Sequence, residues 1–316
     1  MLKYQKRIRL IILGGLLAMA ANTIAQTARQ CPPQQGVALQ VLGSGGPIAD
    51  DGRASAGYIV WVHGESRMLI DAGGGTFLRF GEAGASFEEL DFVGISHFHT
   101  DHSADLPALL KSGYFTGRER SLSIAGPDGS DMFPGLASYL QRMLDEDEGA
   151  YGYLSGYLNG SGGLPTLEPL ELGRSVEGST VVMGDSQSDI QISAMHVPHG
   201  IVPSLAYRVR IGDVVIAFSG DQNGDDPRFI KFAENATLLV MHMPVPEGVE
   251  GVARRLHALP SLIARIANQS NAKTLLLSHF MARSLVDLQQ SVKTISALYD
   301  GNILLAEDLN CIALDG

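Results

Sequence analysis

The stretch SHFHTDHSADLP, residues 96–107, places three histidines and an aspartate within six positions. These residues are His97, His99, Asp101 and His102. A single histidine is usually a satisfied core or surface residue, whereas His and Asp at this density are typical of a metal site. The preceding segment LDFVGISH is typical of a buried strand that delivers the cluster at its end. The pattern therefore indicates metal ligation rather than packing.

Three more ligand-type residues lie where other predicted strands end, namely His199 in AMHVPHG, Asp221 in FSGDQNG and His279 in LLLSHFMAR. Strand ends at one edge of a sandwich converge, so we expect these residues to meet the 97–102 cluster. Seven ligands are too many for one tetrahedral ion and suit two. Imidazole ligands without a thiolate favour Zn²⁺, with iron or manganese as alternatives because carboxylates take part.

An open coordination position on such an ion would lower the pKa of a bound water and create a hydroxide nucleophile. The ligand set therefore predicts hydrolytic chemistry. An alternative from a different class is a non-catalytic protein that binds metal or senses a ligand, which would hold the ions without turnover.

The N-terminal sequence is typical of a secretory signal. Four basic residues precede an apolar run at 10–20: Lys3, Lys6, Arg7 and Arg9. The run is too short to span a bilayer as a helix, and a small-x-small pattern follows it at residues 23–25. We predict that residues 1–25 are a cleaved signal peptide and that the protein is periplasmic or secreted, without stable membrane association afterwards. An uncleaved anchor is the alternative.

The two cysteines, Cys31 and Cys311, lie near the two ends of the predicted mature chain. In an exported protein such a pair predicts a disulfide, which would close almost the whole chain. Two unrelated free thiols are the alternative.

Acidic residues outnumber basic ones, 34 to 23. Loss of residues 1–25 removes four basic residues and no acidic one, so the net charge falls from −11 to −15. A surface this acidic repels polyanions, which argues against an extended nucleic-acid surface. A small anionic ester substrate remains compatible, because bound metal ions can dominate the local field.

Strand-like and helix-like segments alternate along the chain. They predict an α/β fold in which two mixed β-sheets lie face to face with helices outside. The segment SADLPALLKSGYF is predicted as a helix with Ser103 as its N-cap. Neither a linker nor a sequence repeat is evident, so we predict one domain over residues 26–316.

The motifs together resemble the metallo-β-lactamase superfamily, nearest its ribonuclease Z and arylsulfatase-like phosphodiesterase branch. SHFHTDH resembles the hallmark metal loop, and VLGSGGP, LIDAGGGT, VPHG, SGD and LSHFMAR resemble the flanking segments. The resemblance spans about residues 38–309 and implies the αββα sandwich of that superfamily. It also implies two-metal hydrolysis, and homodimerisation is a possibility because related folds often dimerise.

Carried over residue by residue, the resemblance implies two ion sites with a shared carboxylate. It assigns His97, His99 and His199 to one ion, and Asp101, His102 and His279 to the other, with Asp221 bridging both. Asp71, in LIDAGGGT, would orient a ligand histidine or, alternatively, cap its own turn.

Three residues outside the ligand set match positions near the substrate of that branch. His257, 22 residues before His279, is similar to a histidine that protonates the leaving oxygen, although a helix-capping surface histidine is the alternative. Arg53 and Arg283 resemble substrate-facing arginines that could pair with a phosphate or sulfate, or could simply be solvated.

Departures from the branch bear on the substrate. His242 is not followed by the usual glutamate, and only 22 residues separate His199 from Asp221, where the tRNA-processing enzymes carry a long arm. Tyr151, Tyr153 and Tyr157 lie in a Gly-rich loop and either cover the pocket or pack beneath the loop.

The resemblance therefore implies a dinuclear zinc hydrolase of a small ester. A phosphodiester resembling a cyclic nucleotide and an aryl sulfate are the favoured substrates, attacked by a metal-bound hydroxide. A ribonuclease Z-type tRNA endonuclease and a lactonase or β-lactamase are the alternatives.

Overall fold

The computed structural model describes Cys31 and residues 35–174 and 178–315. The predicted signal peptide and its cleavage site lie outside these residues. Within them, no helix is long and apolar enough to span a bilayer. Ten α-helices are described, numbered in chain order: α1 (Thr76–Glu82), α2 (Thr100–Ser103), α3 (Leu106–Gly113), α4 (Leu136–Leu144), α5 (Gly156–Asn159), α6 (Arg228–Phe232), α7 (Gly251–Leu256), α8 (Pro260–Gln269), α9 (Ala282–Val286) and α10 (Leu288–Ser296).

Two seven-stranded mixed sheets lie face to face. The first comprises β1 (Val37–Gly43), β2 (Gly57–Val62), β3 (Glu65–Ala72), β4 (Phe92–Gly94), β5 (Leu122–Pro127), β6 (Leu167–Leu172) and β14 (Cys311–Leu314), in the order β14-β1-β2-β3-β4-β5-β6. The second comprises β7 (Ser179–Met183), β8 (Ile190–His199), β9 (Val202–Ile211), β10 (Val214–Phe218), β11 (Leu238–His242), β12 (Thr274–Ser278) and β13 (Asn302–Leu305), in the order β13-β12-β11-β10-β9-β8-β7. With helices flanking the sheets, this is the predicted αββα sandwich.

Aromatic side chains fill the space between the sheets. Tyr58 packs against Phe218 across the sandwich, with ring centroids 5.6 Å apart, and Phe92 packs against Tyr207 at 6.0 Å. Burial of such large apolar side chains stabilises the contact between the sheets. The strands that end at one edge of the sandwich are therefore held in fixed register, which places their terminal residues reproducibly.

The helix after the histidine cluster differs from the prediction. Ser103 lies inside α2, where its hydroxyl donates to the carbonyl of His99, and α3 begins only at Leu106. The predicted N-cap role of Ser103 is wrong, because the short helix α2 ends at Ser103 and the longer helix α3 starts only after a further turn.

A disulfide joins Cys31 to Cys311, the pairing predicted from the cysteine positions. It attaches the N-terminal side of the described chain to β14, the edge strand of the first sheet.

Candidate active site

The 97–102 loop leaves β4 and turns into α2, so four of the predicted ligands lie on one short segment. His97 Nε2 is 2.9 Å from His99 Nδ1. Asp101 and His102 occupy the first turn of α2, and Asp101 Oδ2 is 3.6 Å from His102 Nε2. The segment therefore presents two pairs of ligand atoms. Gly73 makes this possible, because a Cβ at that position would lie 2.1 Å from the Asp101 carbonyl oxygen.

The other three predicted ligands come from the second sheet. His199 ends β8, Asp221 follows β10 and His279 follows β12, and all three are buried. Gly220 before Asp221 has a φ of 55° and approaches the Leu205 carbonyl oxygen closely, so a Cβ there would lie 2.3 Å from it. The prediction that separate strand ends converge on the histidine loop is confirmed.

The ligand atoms form two groups. The side chains of His97, His99 and His199 offer nitrogens that all lie within 4.8 Å of one another. In the second group, His279 Nε2 lies 3.1 Å from both Asp101 Oδ2 and His102 Nε2.

Asp221 lies between the two groups. Its Oδ1 is 3.5 Å from His279 Nε2 and 3.8 Å from His102 Nε2, whereas its Oδ2 is 3.6 Å from His199 Nε2. One carboxylate oxygen thus faces each group, which is the arrangement that a bridging ligand requires.

These donor atoms fit divalent ions. Ligand atoms about 2.0–2.1 Å from a tetrahedral ion are about 3.3 Å apart, close to the separations in the second group. His199 supplies a second indication, because its Nδ1 donates to the Leu256 carbonyl oxygen at 2.9 Å. Its Nε2 therefore carries a lone pair, and this buried atom has no hydrogen-bond partner.

Asp71 supports His102 from behind. Its Oδ2 accepts a hydrogen bond from His102 Nδ1 at 2.8 Å, and the carboxylate also accepts from the backbone N–H and the hydroxyl of Ser96. His102 Nε2 is therefore the nitrogen available to an ion, which would displace its proton on binding. Asp71 and His279 have left-handed backbones, with φ of 59° and 57°. Such conformations are costly for residues other than glycine and concentrate at functional sites.

The electrostatics of the centre favour bound cations. Burial raises the pKa of the Asp101 and Asp221 carboxyls, but the surrounding imidazoles lower it further, so both are ionised. Burial lowers the pKa of His102, yet the carboxylates of Asp71 and Asp101 raise it to about 10. Burial lowers the pKa of His97, which keeps that imidazole neutral as a ligand must be. Buried carboxylates of this kind need positive charge beside them.

An open pocket of about 480 Å³ adjoins both groups. Its polar walls include His257 and Arg283, and its apolar walls include Phe98, Leu256 and Met281. The Nδ1 atom of His257 is 3.8 Å from Asp221 Oδ2 and has no hydrogen-bond partner. Burial lowers the pKa of His257 to about 3, so its imidazole is neutral in the free protein.

The two predicted arginines lie in different places. Arg283 lines the pocket and donates from Nε to the Pro244 carbonyl oxygen. Arg53 does not line it: its guanidinium donates to Ser44 Oγ and to the Ala306 carbonyl oxygen, and lies over the ring of Phe280.

The tyrosines of the Gly-rich loop lie away from the pocket walls. Tyr157 is buried beneath the loop and donates to the Leu110 carbonyl oxygen, as the packing alternative predicts. Tyr151 and Tyr153 are exposed and do not line the pocket.

Sequence reasoning missed the role of His242. The residue ends β11, and its Nδ1 lies 2.7 Å from Asp221 Oδ1. Its Nε2 lies 3.1 Å from the Tyr58 hydroxyl. His242 does not line the pocket, whereas His257 does and is placed to contact a substrate there. The sequence feature that could have indicated this role is the position of His242 at the end of a predicted buried strand, like that of the candidate ligands His199 and His279.

Comparisons with known proteins agree with this geometry. The family model described as Anti-Pycsar protein Apyc1 matches residues 37–282. A ribonuclease Z of Picrophilus torridus is 28% identical over 283 residues, which cover 78% of this chain and 86% of that protein. A ribonuclease Z of Mycolicibacterium gilvum is 24% identical over 289 residues, covering 87% and 95%.

Solved structures show the same fold. Human tRNase Z, short form, superposes with a TM-score of 0.69 at 20% identity, covering 88% of this chain and all of that one. The metallo-β-lactamase-fold protein YhfI of Bacillus subtilis gives 0.65 at 21%, covering 87% and 98%. Zn²⁺-bound PqqB of Methylobacterium extorquens gives 0.60 at 12%, covering 88% and 100%. The chain therefore belongs to the Anti-Pycsar protein Apyc1 family; its sequence is similar to those of ribonucleases Z, and its fold is that of metallo-β-lactamase-fold proteins.

Proposed function

We propose that this protein is an exported dinuclear zinc hydrolase of small anionic esters, either phosphodiesters of the size of a cyclic nucleotide or aryl sulfates. The observation that carries the proposal is the pocket of about 480 Å³ beside both ligand groups, with His257 and Arg283 on its walls. Pockets of this size suit small ligands. An imidazole and a guanidinium next to the candidate metal centre suit a substrate with a charged ester and a leaving oxygen.

The seven candidate ligands would hold divalent ions, which when bound would supply Lewis acidity and lower the pKa of a water toward neutrality. The Arg283 guanidinium is placed to donate charge-assisted hydrogen bonds to the non-bridging oxygens of the ester. His257 is placed to give a proton to the leaving oxygen as the ester bond breaks. A bound anion beside this imidazole favours its protonated form and opposes the effect of burial on its pKa. Phe98 and Met281 offer an apolar wall to the organic part of the substrate.

Cleavage of RNA is a second candidate, because the curated relatives at 24–29% identity are named ribonuclease Z. The described residues between His199 and Asp221 favour a smaller substrate. Gly200 and Ile201 alone join β8 to β9, and Gly212 and Asp213 alone join β9 to β10, which leaves no inserted arm there. The net charge of −11 also disfavours a long polyanion.

Export is supported by the predicted signal sequence and by the Cys31–Cys311 disulfide. Structural disulfides persist in oxidising compartments and are rare in the cytosol. Cell fractionation combined with intact mass of the purified protein tests this: a protein outside the cytoplasm that lacks residues 1–25 is expected. A full-length cytoplasmic protein with reduced cysteines would refute export.

A substrate panel tests the chemistry. Purified protein with measured zinc content is assayed on bis-(p-nitrophenyl) phosphate, a cyclic mononucleotide, p-nitrophenyl sulfate, nitrocefin, a lactone and a tRNA precursor. We expect the small phosphodiesters or the sulfate to have the highest kcat/KM. Turnover of nitrocefin or the lactone alone would contradict the proposal, and efficient precursor cleavage without small-ester activity would favour the RNA candidate.

The two arginines give a matched pair of variants for this panel. Arg283→Gln is expected to lower kcat/KM for the preferred anionic ester by about 10- to 100-fold, because a charge-assisted hydrogen bond is worth about 1.5–3 kcal/mol. Arg53→Gln is expected to leave kcat/KM within about threefold, since its guanidinium contacts Ser44 and Ala306 instead of the pocket. A larger loss in Arg53→Gln than in Arg283→Gln would show that the pocket residues are wrongly assigned.

A further inference from the structure

Three buried, hydrogen-bonded side chains, Tyr58, His242 and Ser278, connect the two sheets next to Asp221. Tyr58 lies on β2 of the first sheet, whereas His242 and Ser278 are register partners at the ends of β11 and β12 in the second. The exposed fractions of these residues are 1%, 5% and 0%. Buried polar groups of this kind are costly unless they are hydrogen-bonded, so their bonding pattern is constrained.

The first constraint concerns the bond to Asp221. The 2.7 Å distance from His242 Nδ1 to Asp221 Oδ1 is the shortest polar contact of that carboxylate among the described residues. An ionised carboxylate only accepts hydrogen bonds, so His242 Nδ1 must carry the proton.

The second constraint concerns the other ring nitrogen. A neutral imidazole protonated at Nδ1 has a lone pair at Nε2, and the hydroxyl 3.1 Å away belongs to Tyr58. The phenol has a single proton, which is then donated to Nε2. The Tyr58 and Ser278 hydroxyls lie 2.8 Å apart, and because both O–H groups rotate, either oxygen can be the donor. With the phenol proton donated to Nε2, the Ser278 hydroxyl is the donor to the Tyr58 oxygen. With this direction of donation, both ring nitrogens of His242 and the hydroxyls of Tyr58 and Ser278 each have a hydrogen-bond partner.

We propose that Tyr58 is a positioning residue: its hydroxyl donates to His242 Nε2, which fixes the Nδ1–H imidazole in place and, through it, holds the Asp221 carboxylate across both ligand groups. A small rotation of this carboxylate would move Oδ1 away from His279 or Oδ2 away from His199, which lie 3.5 and 3.6 Å from those oxygens. The competing arrangement is direct ligation by His242, since its ring lies in one group with His102, Asp221 and His279. The part of this inference that concerns zinc affinity rests on the proposed function, whereas the hydrogen bonds of His242 in the metal-free protein do not.

The tautomer is measured by ¹H–¹⁵N correlation on the full chain with ¹⁵N-labelled histidine, without metal. The His242 signals are assigned by their loss in His242→Gln. In the wild type we expect a protonated Nδ1 and an unprotonated Nε2. In Tyr58→Phe, which retains the ring against Phe218, we expect Nδ1 to stay protonated against Asp221 and the Nε2 signal to move, because its hydrogen-bond donor is gone. Tyr157→Phe is the matched control, because Tyr157 is equally buried and also loses one hydrogen bond.

Zinc competition against a chromophoric chelator gives an independent readout. Tyr58→Phe is expected to bind at least one of two Zn²⁺ ions about 10-fold more weakly, the usual effect of losing a residue that orients a ligand. Tyr157→Phe is expected to match the wild type. A protonated Nε2 in the wild type, a zinc-induced shift typical of a bound His242 nitrogen, or an unchanged Nε2 shift together with unchanged zinc affinity in Tyr58→Phe would each overturn the inference. Wild-type protein with the expected tautomer and tight zinc binding but without ester hydrolysis would refute the proposed function and leave this inference standing.

Discussion

The two halves of the candidate metal centre are built in different ways. The half from the first sheet is local, with His97, His99, Asp101 and His102 on one loop after β4. The half from the second sheet is assembled from His199, Asp221 and His279, which follow three separate strands. A loop brings its ligands together through short-range geometry, whereas strand ends do so only when the sheet has formed. The difference shows that the second half depends more on tertiary packing than the first.

Asp221, in the second half, faces both ligand groups, so its loss is expected to have the largest effect. Asp221→Asn removes the charge from the carboxylate that faces both groups, and kcat is expected to fall by more than ~100-fold, beyond the usual cost of losing a supporting residue. Zinc binding measured by equilibrium dialysis should fall below two ions per chain. Asp213→Asn, at the exposed turn between β9 and β10, is the control and should match the wild type. Retention of both ions and of activity in Asp221→Asn would rule out bridging.

Each half has one buried residue that hydrogen-bonds to a candidate ligand, and the variants Asp71→Asn and His242→Gln compare how much each of these contacts contributes. Asp71 orients His102 in the first half, and His242 contacts Asp221 in the second. Asparagine tolerates the left-handed backbone of Asp71, so that variant tests the charge rather than the conformation. Each variant is expected to lower zinc affinity or kcat by about 10- to 100-fold. An effect in only one of the two would show that one half needs no support, which titration of each variant with zinc can detect.

Two histidines, His102 in the first half and His257 beside the second, should have opposite effects on the pH dependence of stability in the metal-free protein. In the first half, the pKa of His102 is raised to about 10, so its stabilising effect is present below pH 6.5 and is lost as the pH rises toward 10. Beside the second half, burial lowers the pKa of His257 to about 3. As the pH falls below 6.5, His257 is protonated in the unfolded chain before it is protonated in the folded protein, so the folded protein loses stability.

Urea unfolding with a chelator, from pH 4 to 10, measures both limbs. His257→Gln should reduce the slope of the free energy of unfolding between pH 5 and 6.5, where Asp101 and Asp221 are ionised in both states. The slope that remains comes from other buried histidines whose pKa is lowered, such as His97 and His242. His102→Gln should instead flatten the dependence above pH 7. The same limb changing in both variants would contradict this assignment.

The sequence pattern predicted the sandwich and the seven residues that the structure brings together as candidate ligands, but it did not predict His242 beside them. The dense H-x-H-x-D-H spacing was sufficient for the first half, and the position of His199, Asp221 and His279 at strand ends was sufficient for the second. Strands β5, β6, β13 and β14 were not predicted, since short edge or parallel strands lack a distinct periodicity. Arg53 and Arg283 matched the resemblance equally well, yet only Arg283 lines the pocket.

By itself, the sequence determined the chemistry of the donor atoms, the fold class and the pairing of two cysteines, because residue type and spacing record these directly. The tertiary structure alone decided which groups support the ligands. Tyr58 and His242 are far apart in the chain and lie on facing sheets, so only the packing of those sheets brings the phenol to the imidazole and the imidazole to Asp221. Hydrogen bonds between distant residues depend on distances of a few tenths of an ångström, which no local pattern of residue types specifies.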